Sequence, residues 1–324
     1  MRLSVIGATG VVGREIIKLL DEGFLGFEEL RLFASSRSAG AVVEVKGKSY
    51  VIEELSNASP INSNVSIFSA GADTALEFAS GWVDSGAVVV DNSSAFRMEE
   101  EVPLVVPEVN PEKTKNLKRG IISNPNCSTI QAVVVLKPLL QAYGIRRVVY
   151  STYQAVSGAG SGGIRDLQEG AKGVAPTKFK HQIYANVIPH IDDFLDNGYT
   201  KEETKMINET RKILNMPDLK VTATTVRVPV FNGHSISINV EMERGFEISE
   251  VKELLANSPG IELRDDPQNA VYPMPIQASG INSVLVGRVR RDDSQPNTLN
   301  LWCSADNVRK GAALNALQIA AIFM

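Results

Sequence analysis

Cys127 lies in the stretch Asn124-Pro125-Asn126-Cys127-Ser128-Thr129, whose residue types favour nucleophilic chemistry. An extended pattern precedes this stretch, and an apolar helical pattern runs from Ser128 to Ala142. A thiol at the start of a helix lies near unpaired backbone N–H groups and the positive end of the helix dipole, which favour the thiolate. The same N–H groups can hold an oxyanion. The alternative is a buried structural cysteine, against which the polar, proline-bent flanks argue.

A strand, a glycine-rich turn and a helix are predicted at the beginning of the chain. Leu3 to Ile6 is an apolar run, and residues 12–20 have a helical pattern. Between them the glycines follow the spacing G-x-x-G-x-x-G, at Gly7, Gly10 and Gly13. Backbone amides and a helix N-terminus can hold a pyrophosphate in this context, so a dinucleotide site is favoured over a tight structural turn.

The end of the next predicted strand, Leu30 to Ala34, indicates which dinucleotide binds. It leads into Ser35-Ser36-Arg37-Ser38. An NAD site usually has an acidic residue here for the ribose 2′-hydroxyl, whereas serines and an arginine suit a 2′-phosphate. We therefore predict NADP, with a solvated loop charge as the alternative for Arg37. The later turn Ser69-Ala70-Gly71 is expected to contact the adenosine half.

Three further charged residues are candidates for binding an anionic or zwitterionic substrate. Arg97 follows the strand pattern 88–91, at the carboxyl end of a strand, where open α/β sheets bind ligands, and its planar fork suits phosphate or carboxylate. Glu202 and Lys205 lie one turn apart in the helical pattern 200–214. A surface arginine and a solvated ion pair are the alternatives.

Longer β patterns dominate the second half of the chain. Two of them flank Phe231-Asn232-Gly233, which predicts a β-hairpin with Arg227 in its first strand and His234 at the start of its second. The segment 157–163 is rich in glycine and is either flexible or allows close approach of the backbone to a ligand. The predicted strands are 146–156, 221–230, 234–243, 283–289 and 298–303, with helices at 249–257 and 307–322.

Composition excludes several classes of function. A chain of 324 residues, 44% hydrophobic and 22% charged, can bury a large core and is expected to form two domains. A net charge of −4 without a long basic run gives no reason to expect nucleic acid or an anionic membrane as a partner. No apolar run is long enough for a membrane span, and a strand pattern occupies the first residues, so we expect a cytoplasmic protein. Neither a disulfide framework nor a metal site is expected from two cysteines and the histidine spacing.

Together, these stretches resemble the aspartate-β-semialdehyde dehydrogenase family from end to end. The motifs that carry the resemblance are Gly7-Ala8-Thr9-Gly10-Val11-Val12-Gly13, Asp91-Asn92-Ser93-Ser94-Ala95-Phe96-Arg97, Val106-Pro107-Glu108-Val109-Asn110, Asn124-Pro125-Asn126-Cys127-Ser128-Thr129, Ser151-Thr152-Tyr153-Gln154-Ala155-Val156-Ser157-Gly158 and Gly233-His234-Ser235. The resemblance implies an α/β fold with an N-terminal Rossmann-type NADP-binding domain and a C-terminal α+β catalytic and dimerisation domain. The first domain is expected at residues 1–127, completed by the C-terminal helix 307–324, and the second at 128–306.

The activity implied by the resemblance is the reversible reduction of 4-phospho-L-aspartate by NADPH to L-aspartate 4-semialdehyde, with release of phosphate. This step leads to lysine through diaminopimelate, and to methionine, threonine and isoleucine. Cys127 matches the nucleophile that forms a thioester, His234 the acid/base residue and Gln154 the residue that orients the acyl intermediate. The expected partners are these small molecules and further copies of the chain, in a homodimer or tetramer.

The resemblance also implies binding residues for substrate and cofactor. Arg227 matches the clamp on the substrate α-carboxylate and Glu202 the partner of its amino group. Lys205 and Arg97 match the phosphate-binding pair, and Asn126 is a further expected substrate contact. The residues expected to bind NADP are Gly7, Thr9, Gly10, Val11, Val12, Gly13, Ser36, Arg37, Ser38, Ala70, Gly71, Ser157, Gly158 and Asn307.

Two other functions are compatible with parts of the sequence. N-acetyl-γ-glutamyl-phosphate reductases share the cysteine–histidine chemistry but usually have Asn-Pro-Gly-Cys at the nucleophile, and their acylated substrate does not need Glu202. A non-catalytic dinucleotide-binding protein needs none of Cys127, Gln154, Arg227 and His234. His181 and His190 match no motif and are interpreted as structural or surface residues, and Cys303 as an inert packed thiol.

Overall fold

The computed structural model describes residues 1–60 and 63–324 and divides them into two compact units. The first unit contains Met1–Asn126 and Ala312–Met324, and the second contains Cys127–Gly311. Among the described residues, none of the helices has the length and apolar character needed to cross a membrane.

The first unit is built on a mostly parallel sheet with helices between its strands. In the described residues the sheet has the strand order β3-β4-β2-β1-β5-β6-β7, and only the β3–β4 pair is antiparallel. The strands are β1 (Arg2–Ile6), β2 (Glu29–Ala34), β3 (Val42–Val45), β4 (Lys48–Glu54), β5 (Val65–Phe68), β6 (Val88–Asp91) and β7 (Ile121–Ser123). The helices are α1 (Val11–Asp21) and α2 (Ala72–Asp84).

The strand order of this sheet reverses beside its central strand. β2 pairs with one edge of β1 and β5 with the other, so the loops after these strands diverge at their carboxyl ends. A crevice at this reversal is where open α/β sheets bind dinucleotides. β1 and β5 are buried apart from Arg2, as expected for strands covered on both faces.

The second unit is built on a mixed sheet, whose order in the described residues is β11-β12-β13-β10-β8-β9. Its strands are β8 (Ile145–Gln154), β9 (Lys220–Arg227), β10 (His234–Met242), β11 (Ile261–Leu263), β12 (Val284–Arg291) and β13 (Thr298–Ala305). Its helices are α3 (Cys127–Tyr143), α4 (Gly160–Gly170), α5 (Lys201–Leu214), α6 (Ile248–Ala256) and the single turn α7 (Pro275–Ala278). After a π-helical turn at Arg309–Ala313, the last helix, α8 (Leu314–Ala321), lies in the first unit. The predicted α/β class is confirmed.

The predicted β-hairpin around Phe231-Asn232-Gly233 is wrong. β8 lies between β9 and β10, pairing with β9 in parallel and with β10 in antiparallel orientation. The alternating pattern predicted both strands correctly. It carries no information on which neighbouring strand each of them pairs with. The segment 157–163 is helical, with a 3₁₀ turn at Val156–Ala159 followed by α4, so the prediction of a flexible stretch there is also wrong.

This topology brings three predicted site residues to one edge of the second sheet. Gln154 ends β8 and pairs in register with Arg227, which ends the parallel strand β9. His234 begins the antiparallel strand β10, and the next residue pairs with Tyr153 of β8. Arg227 and His234 follow Gln154 by 73 and 80 positions in the sequence. The three residues nevertheless converge, because two strands end and one begins at the same edge of the sheet.

Helix α5 has a capping box at its N-terminus. The Thr200 hydroxyl accepts a hydrogen bond from the Glu203 backbone N–H at 3.2 Å, and the Glu203 carboxylate accepts from the Thr200 N–H at 2.8 Å. A second oxygen of Glu203 accepts from the Thr225 N–H in β9, at 3.0 Å. The cap thus fixes the helix that carries Glu202 and Lys205 against the sheet.

We expect Thr200→Val to lower the free energy of unfolding by about 1–2 kcal/mol, because it preserves side-chain shape but leaves a buried N–H without its acceptor. Thr204→Val makes the same chemical change one turn later on the same helix, where the side chain is half-buried, and should change the stability by less than about 0.5 kcal/mol. Urea unfolding followed by circular dichroism measures both. Equal effects of the two substitutions would show that the cap does not stabilise the helix.

Candidate active site

The glycine-rich turn of the first unit has the close packing that a dinucleotide-binding loop requires. Gly7 has φ +86°, and a Cβ there would lie 2.5 Å from the Ser69 carbonyl oxygen. A Cβ on Gly13 would lie 2.1 Å from the Gly7 carbonyl oxygen. Gly10 caps α1 without any side-chain hydrogen bond, so the first N–H groups of the helix stay available to a phosphate. These residues fit a nicotinamide dinucleotide.

The other predicted cofactor residues of this unit surround the same crevice. Thr9 donates a long hydrogen bond of 3.5 Å to Ser38, which connects the glycine turn to the corner after β2. Ser36 and Arg37 are exposed on that corner. Gly71, with φ +97°, caps α2 beside Ala70. The structure thus brings the residues predicted for the first unit to the carboxyl ends of β1, β2 and β5, and Val11 and Val12 lie in the first turn of α1.

Arg97 is buried in the first unit, and its guanidinium donates hydrogen bonds to two backbone carbonyl groups. Its Nε donates to the Asn124 carbonyl oxygen at 3.0 Å and its Nη2 to the Asn92 carbonyl oxygen at 2.9 Å. Burial raises the pKa of Asp91, while hydrogen bonds from Ser93 and the positive charge of Arg97 act in the opposite direction. Part of the Arg97 guanidinium therefore orders the loops that lead to the nucleophile.

In the second unit, α3 begins at Cys127, and the thiol is partly exposed. Asn126, the last residue of the first unit, is buried immediately before it. A Cβ on Gly311 would lie 2.9 Å from the Cys127 Cβ, so the absence of a side chain at Gly311 makes room for the cysteine. Cys303 is fully buried, and burial raises the pKa of its thiol to about 12. Only Cys127 has an environment that suits a nucleophile.

Arg227 is the central cation of the second unit and is only 5% exposed. Its Nη1 donates to the Ala155 carbonyl oxygen at 2.8 Å, its guanidinium lies 5.9 Å from the centre of the Phe179 ring, and its Nε has no partner among the described residues. Burial lowers the pKa of Arg227, and Coulombic interactions with Glu202 and Cys127 oppose that effect. It therefore lies within electrostatic range of the nucleophile and has donors for an anion.

His234 is fully buried at the start of β10. Its Nδ1 accepts a hydrogen bond from the Ala155 N–H at 3.0 Å, whereas its Nε2 has no partner in residues 1–60 and 63–324. Burial and the positive charge of Arg227 both lower the pKa of His234 well below 6.5. The imidazole is consequently neutral near physiological pH.

Gly158 lies against both of these side chains. A Cβ at this position would lie 2.8 Å from Arg227 Nη1 and 3.1 Å from both Cε1 and Nε2 of His234. The glycine has no left-handed backbone angle, so the constraint on this position is space. The glycine-rich segment was expected to allow the backbone to approach a ligand. In the structure, the backbone of Gly158 approaches the side chains of Arg227 and His234.

Glu202 and Lys205 continue the site along α5. The Gln154 amide donates to a Glu202 carboxylate oxygen at 3.3 Å, and Lys205 Nζ lies 3.6 Å from the other oxygen. Lys205 also donates to Asp192 at 2.6 Å.

Sequence reasoning missed Asp192, which has φ +67° in an irregular segment. The only signal for this residue in the sequence was an Asp-Asp pair outside any motif. The alternatives of a surface arginine for Arg97 and of a solvated pair for Glu202 are wrong, since both residues are buried.

Ser157 and Asn307, predicted to bind the cofactor, form a buried cluster in the second unit. Asn307 Nδ2 donates to the Ser157 hydroxyl at 3.0 Å, and its Oδ1 accepts from the Gly233 N–H at 2.9 Å. Asn232 completes the cluster by donating to Asp306 at 2.7 Å. The cluster fixes the turn that precedes His234. Asn232 was missed because it was treated as a turn residue, and Asp306 because it lies between a predicted strand and a predicted helix, outside any motif.

Comparisons with known proteins cover nearly the whole chain. Residues 2–117 match the domain family described as "Semialdehyde dehydrogenase, NAD binding domain", and residues 136–310 match "Semialdehyde dehydrogenase, dimerisation domain". The aspartate-semialdehyde dehydrogenase of Aquifex aeolicus is 51% identical over 332 residues, which cover 100% of this chain and 98% of that protein.

Two solved structures extend this likeness to the fold. The aspartate semialdehyde dehydrogenase II of Vibrio cholerae, complexed with ASA, has a TM-score of 0.94 at 43% identity and covers 99% of this chain and 97% of its own. The aspartate semialdehyde dehydrogenase of Candida albicans with NADP has a TM-score of 0.76 at 28% identity, with coverages of 99% and 97%.

We expect Gly158→Ala to lower kcat/KM for aldehyde oxidation by about 10²-fold, because the new methyl group displaces Arg227 and His234 together. Gly245→Ala is a matched control in the same unit, since its Cβ would meet only the Asn297 side-chain oxygen, at 3.7 Å. Steady-state kinetics and thermal unfolding of both variants separate lost activity from lost stability. Wild-type kinetics in Gly158→Ala would show that the close packing has no catalytic importance.

Proposed function

Because this chain belongs to the aspartate-semialdehyde dehydrogenase family, and so is an NAD(P)-dependent oxidoreductase acting on an aldehyde group, we propose that it interconverts 4-phospho-L-aspartate and L-aspartate 4-semialdehyde. The reductive direction consumes NADPH and releases phosphate. The observation that carries the proposal is the cluster of Cys127, Arg227, Glu202, Gln154 and His234 in the second unit. The solved relative complexed with ASA supports the choice of substrate.

The charges of the second unit match a small zwitterionic substrate. Arg227 is proposed to bind the α-carboxylate, since its Nε and the face away from Ala155 offer donors in a planar fork. Glu202 is proposed to meet the amino group, because a buried carboxylate next to an amide and a lysine is the negative group of this cluster. Lys205 and Arg97 are proposed to bind phosphate, and Asn126 to contact the substrate beside the nucleophile.

The chemistry that follows is covalent. Cys127 Sγ attacks the acyl carbon of the acyl phosphate, and the carbon–oxygen bond to phosphate breaks, which leaves a thioester. When bound, NADPH supplies the hydride that reduces this thioester. Collapse of the resulting thiohemiacetal breaks the carbon–sulfur bond and releases the aldehyde with the Cys127 thiolate. Gln154, buried at the end of β8, is proposed to orient the acyl group.

The cofactor is proposed to be NADP. Support comes from Ser36 and Arg37, exposed at the corner after β2, from the lack of an acidic residue there, and from the solved relative with NADP. Binding is proposed to involve the residues predicted in both units, including Gly158 and Asn307.

The proposed setting is the aspartate pathway to lysine through diaminopimelate, and to methionine, threonine and isoleucine. The match of residues 136–310 to a dimerisation domain supports a homodimer or a tetramer. A cytoplasmic location is proposed because the catalytic thiol must stay reduced, and both cysteines are free.

Incubation with the acyl phosphate in the absence of NADPH should load one acyl group on Cys127. Intact-mass measurement and peptide mapping detect the adduct, and Cys127→Ala should abolish both the adduct and phosphate-dependent reduction of NADP by the semialdehyde. Cys303→Ala removes the other, buried thiol and should leave the adduct in place. An active Cys127→Ala enzyme would overturn the mechanism, and preferential reduction of N-acetyl-γ-glutamyl phosphate would overturn the substrate.

Replacing Arg37 by Ala should raise the KM for NADP by roughly 10–150-fold and leave that for NAD nearly unchanged. This range corresponds to the loss of about 1.5–3 kcal/mol for a hydrogen bond to a charged group. Lys48→Ala, which removes an exposed positive charge from β4 in the same unit, is the control. If Arg37→Ala and Lys48→Ala give the same small effect, the corner after β2 does not recognise the 2′-phosphate.

A further inference from the structure

Lys205 lies between two carboxylates of the second unit and is much closer to one of them. Its Nζ donates to Asp192 Oδ2 at 2.6 Å, whereas it lies 3.6 Å from Glu202 Oε2, beyond ordinary hydrogen-bonding distance. Glu202 and Lys205 are three positions apart on α5, a spacing at which opposite charges attract each other along a helix. The lysine is therefore drawn away from its neighbour on the helix by a residue that comes 13 positions earlier in the chain.

The Asp192 carboxylate is itself fixed by two donors. Oδ1 accepts a hydrogen bond from the Asp193 backbone N–H at 2.9 Å, and Oδ2 accepts from Lys205. Asp192 has φ +67°, a left-handed conformation that is uncommon for a residue with a Cβ and that occurs more often at functional sites. Burial raises the pKa of Asp192, but hydrogen bonds from Lys205 and Asp193 and the charges of Lys205 and Lys201 lower the pKa overall. The carboxylate is consequently charged near neutral pH.

The backbone that carries Asp192 is anchored on both sides. Upstream, Ile188 and Arg227 exchange two backbone hydrogen bonds, of 2.9 and 2.8 Å, where β9 ends. Downstream, the Lys201 N–H donates to the Asp193 carbonyl oxygen at 2.8 Å, where α5 begins. The carboxylate thus has a defined position relative to both the strand with the buried arginine and the helix with the lysine.

The negative charge of Asp192 does not by itself favour a phosphate site. A carboxylate beside the proposed phosphate-binding ammonium weakens the attraction of that ammonium for an anion. A lysine side chain is flexible, however, and holding it in one place costs conformational entropy. If Asp192 did not hold it, the attraction along α5 would bring Lys205 towards Glu202. A close pair of these two would occupy both the ammonium proposed for phosphate and the carboxylate proposed for the substrate amino group.

We infer that Asp192 is a positioning residue that holds Lys205 apart from Glu202, so that the two side chains bind phosphate and the substrate amino group separately. The inference rests on the proposed function and adds to it a residue that lies outside every sequence motif. Asp192 acts through Lys205 and is assigned no contact with the reacting atoms. Its contribution is preorganisation, because the lysine is already ordered when phosphate arrives.

Asp192→Asn tests this role in the oxidative direction. Asparagine has one acceptor oxygen, so it cannot serve both the Asp193 N–H and Lys205. We expect the KM for phosphate to rise about 3–10-fold, in line with the cost of ordering one long side chain on binding. The KM for the semialdehyde should rise as well, since Lys205 then competes for Glu202. The KM for NADP, and kcat at saturation, should stay within about twofold of the wild type, because only binding is lost.

Asp193→Asn is the matched control. It makes the same chemical change at the next residue, whose side chain is 75% exposed and pairs with Lys201 at 2.8 Å. Initial rates of NADPH formation should give wild-type KM values for this variant, and thermal unfolding should show that both variants are folded. A lower phosphate KM in Asp192→Asn would show that Asp192 acts only as a countercharge. Equal kinetics of the two variants would show that it has no role. Either result would overturn the inference.

A double-mutant cycle shows whether Asp192 acts through the lysine. If it does, Asp192→Asn should not change the phosphate KM further in a Lys205→Ala background. The same fold-change in both backgrounds would show that Asp192 only supports its own loop, and would contradict the inference.

The outcome is separable from that of the proposed function. A phosphate KM that rises in Lys205→Ala, while Asp192→Asn behaves like Asp193→Asn, would refute only the role of Asp192. An unchanged phosphate KM in Lys205→Ala would refute the assignment of Lys205 to phosphate, and the inference with it. Failure of Cys127 to become acylated is measured independently and would refute the proposed reaction.

Discussion

The peptide groups of one residue, Ala155, set the geometry of the second unit's site. Its N–H donates to His234 at 3.0 Å, and its carbonyl oxygen accepts from Arg227 at 2.8 Å. Ala155 lies directly after β8, so these two hydrogen bonds tie the end of β9 and the start of β10 to the strand between them. Because the residue is fully buried, neither bond competes with water. The positions of the buried cation and the imidazole follow from one extended backbone segment.

Charge alternation explains how the charged side chains of Arg227 and Glu202 can be buried. Arg227 lies in the field of Glu202 and Cys127, Glu202 lies beside Lys205, and Lys205 pairs with Asp192. Burial alone would raise the pKa of Asp192, but the hydrogen bond from Lys205 and the charges around it lower the pKa overall. Arg227 and Glu202 are both buried, and removing one member of a buried pair typically costs about 3–5 kcal/mol, because it leaves an uncompensated charge. Lys205 and Asp192 are partly exposed, so their pair contributes less. The same alternation of charges is complementary to a substrate with a carboxylate and an amino group.

The sequence was informative wherever a side-chain type determines the local backbone. The glycine spacing predicted the turn before α1, and the Pro-Asn-Cys stretch predicted a helix beginning at the cysteine, because both patterns act over a few residues. The insertion of β8 between β9 and β10 could not be predicted, since alternation specifies the faces of a strand and not its partners. Ala155 carried no signal at all, because it acts through its peptide groups. Asp192 acts from an irregular segment whose path depends on tertiary contacts.

A fixed imidazole at His234 suits both halves of the proposed reaction. Attack of the thiolate on the acyl phosphate and addition of hydride to the thioester each convert the same acyl carbon from trigonal to tetrahedral, and each places negative charge on the same oxygen. The hydrogen bond from the Ala155 N–H to Nδ1 holds the ring in one position through the two steps. Preorganised donors stabilise such charge without reorganisation at the moment of reaction. One side chain at one position can therefore act in both steps, and the close packing of Gly158 against the ring is what keeps that position constant.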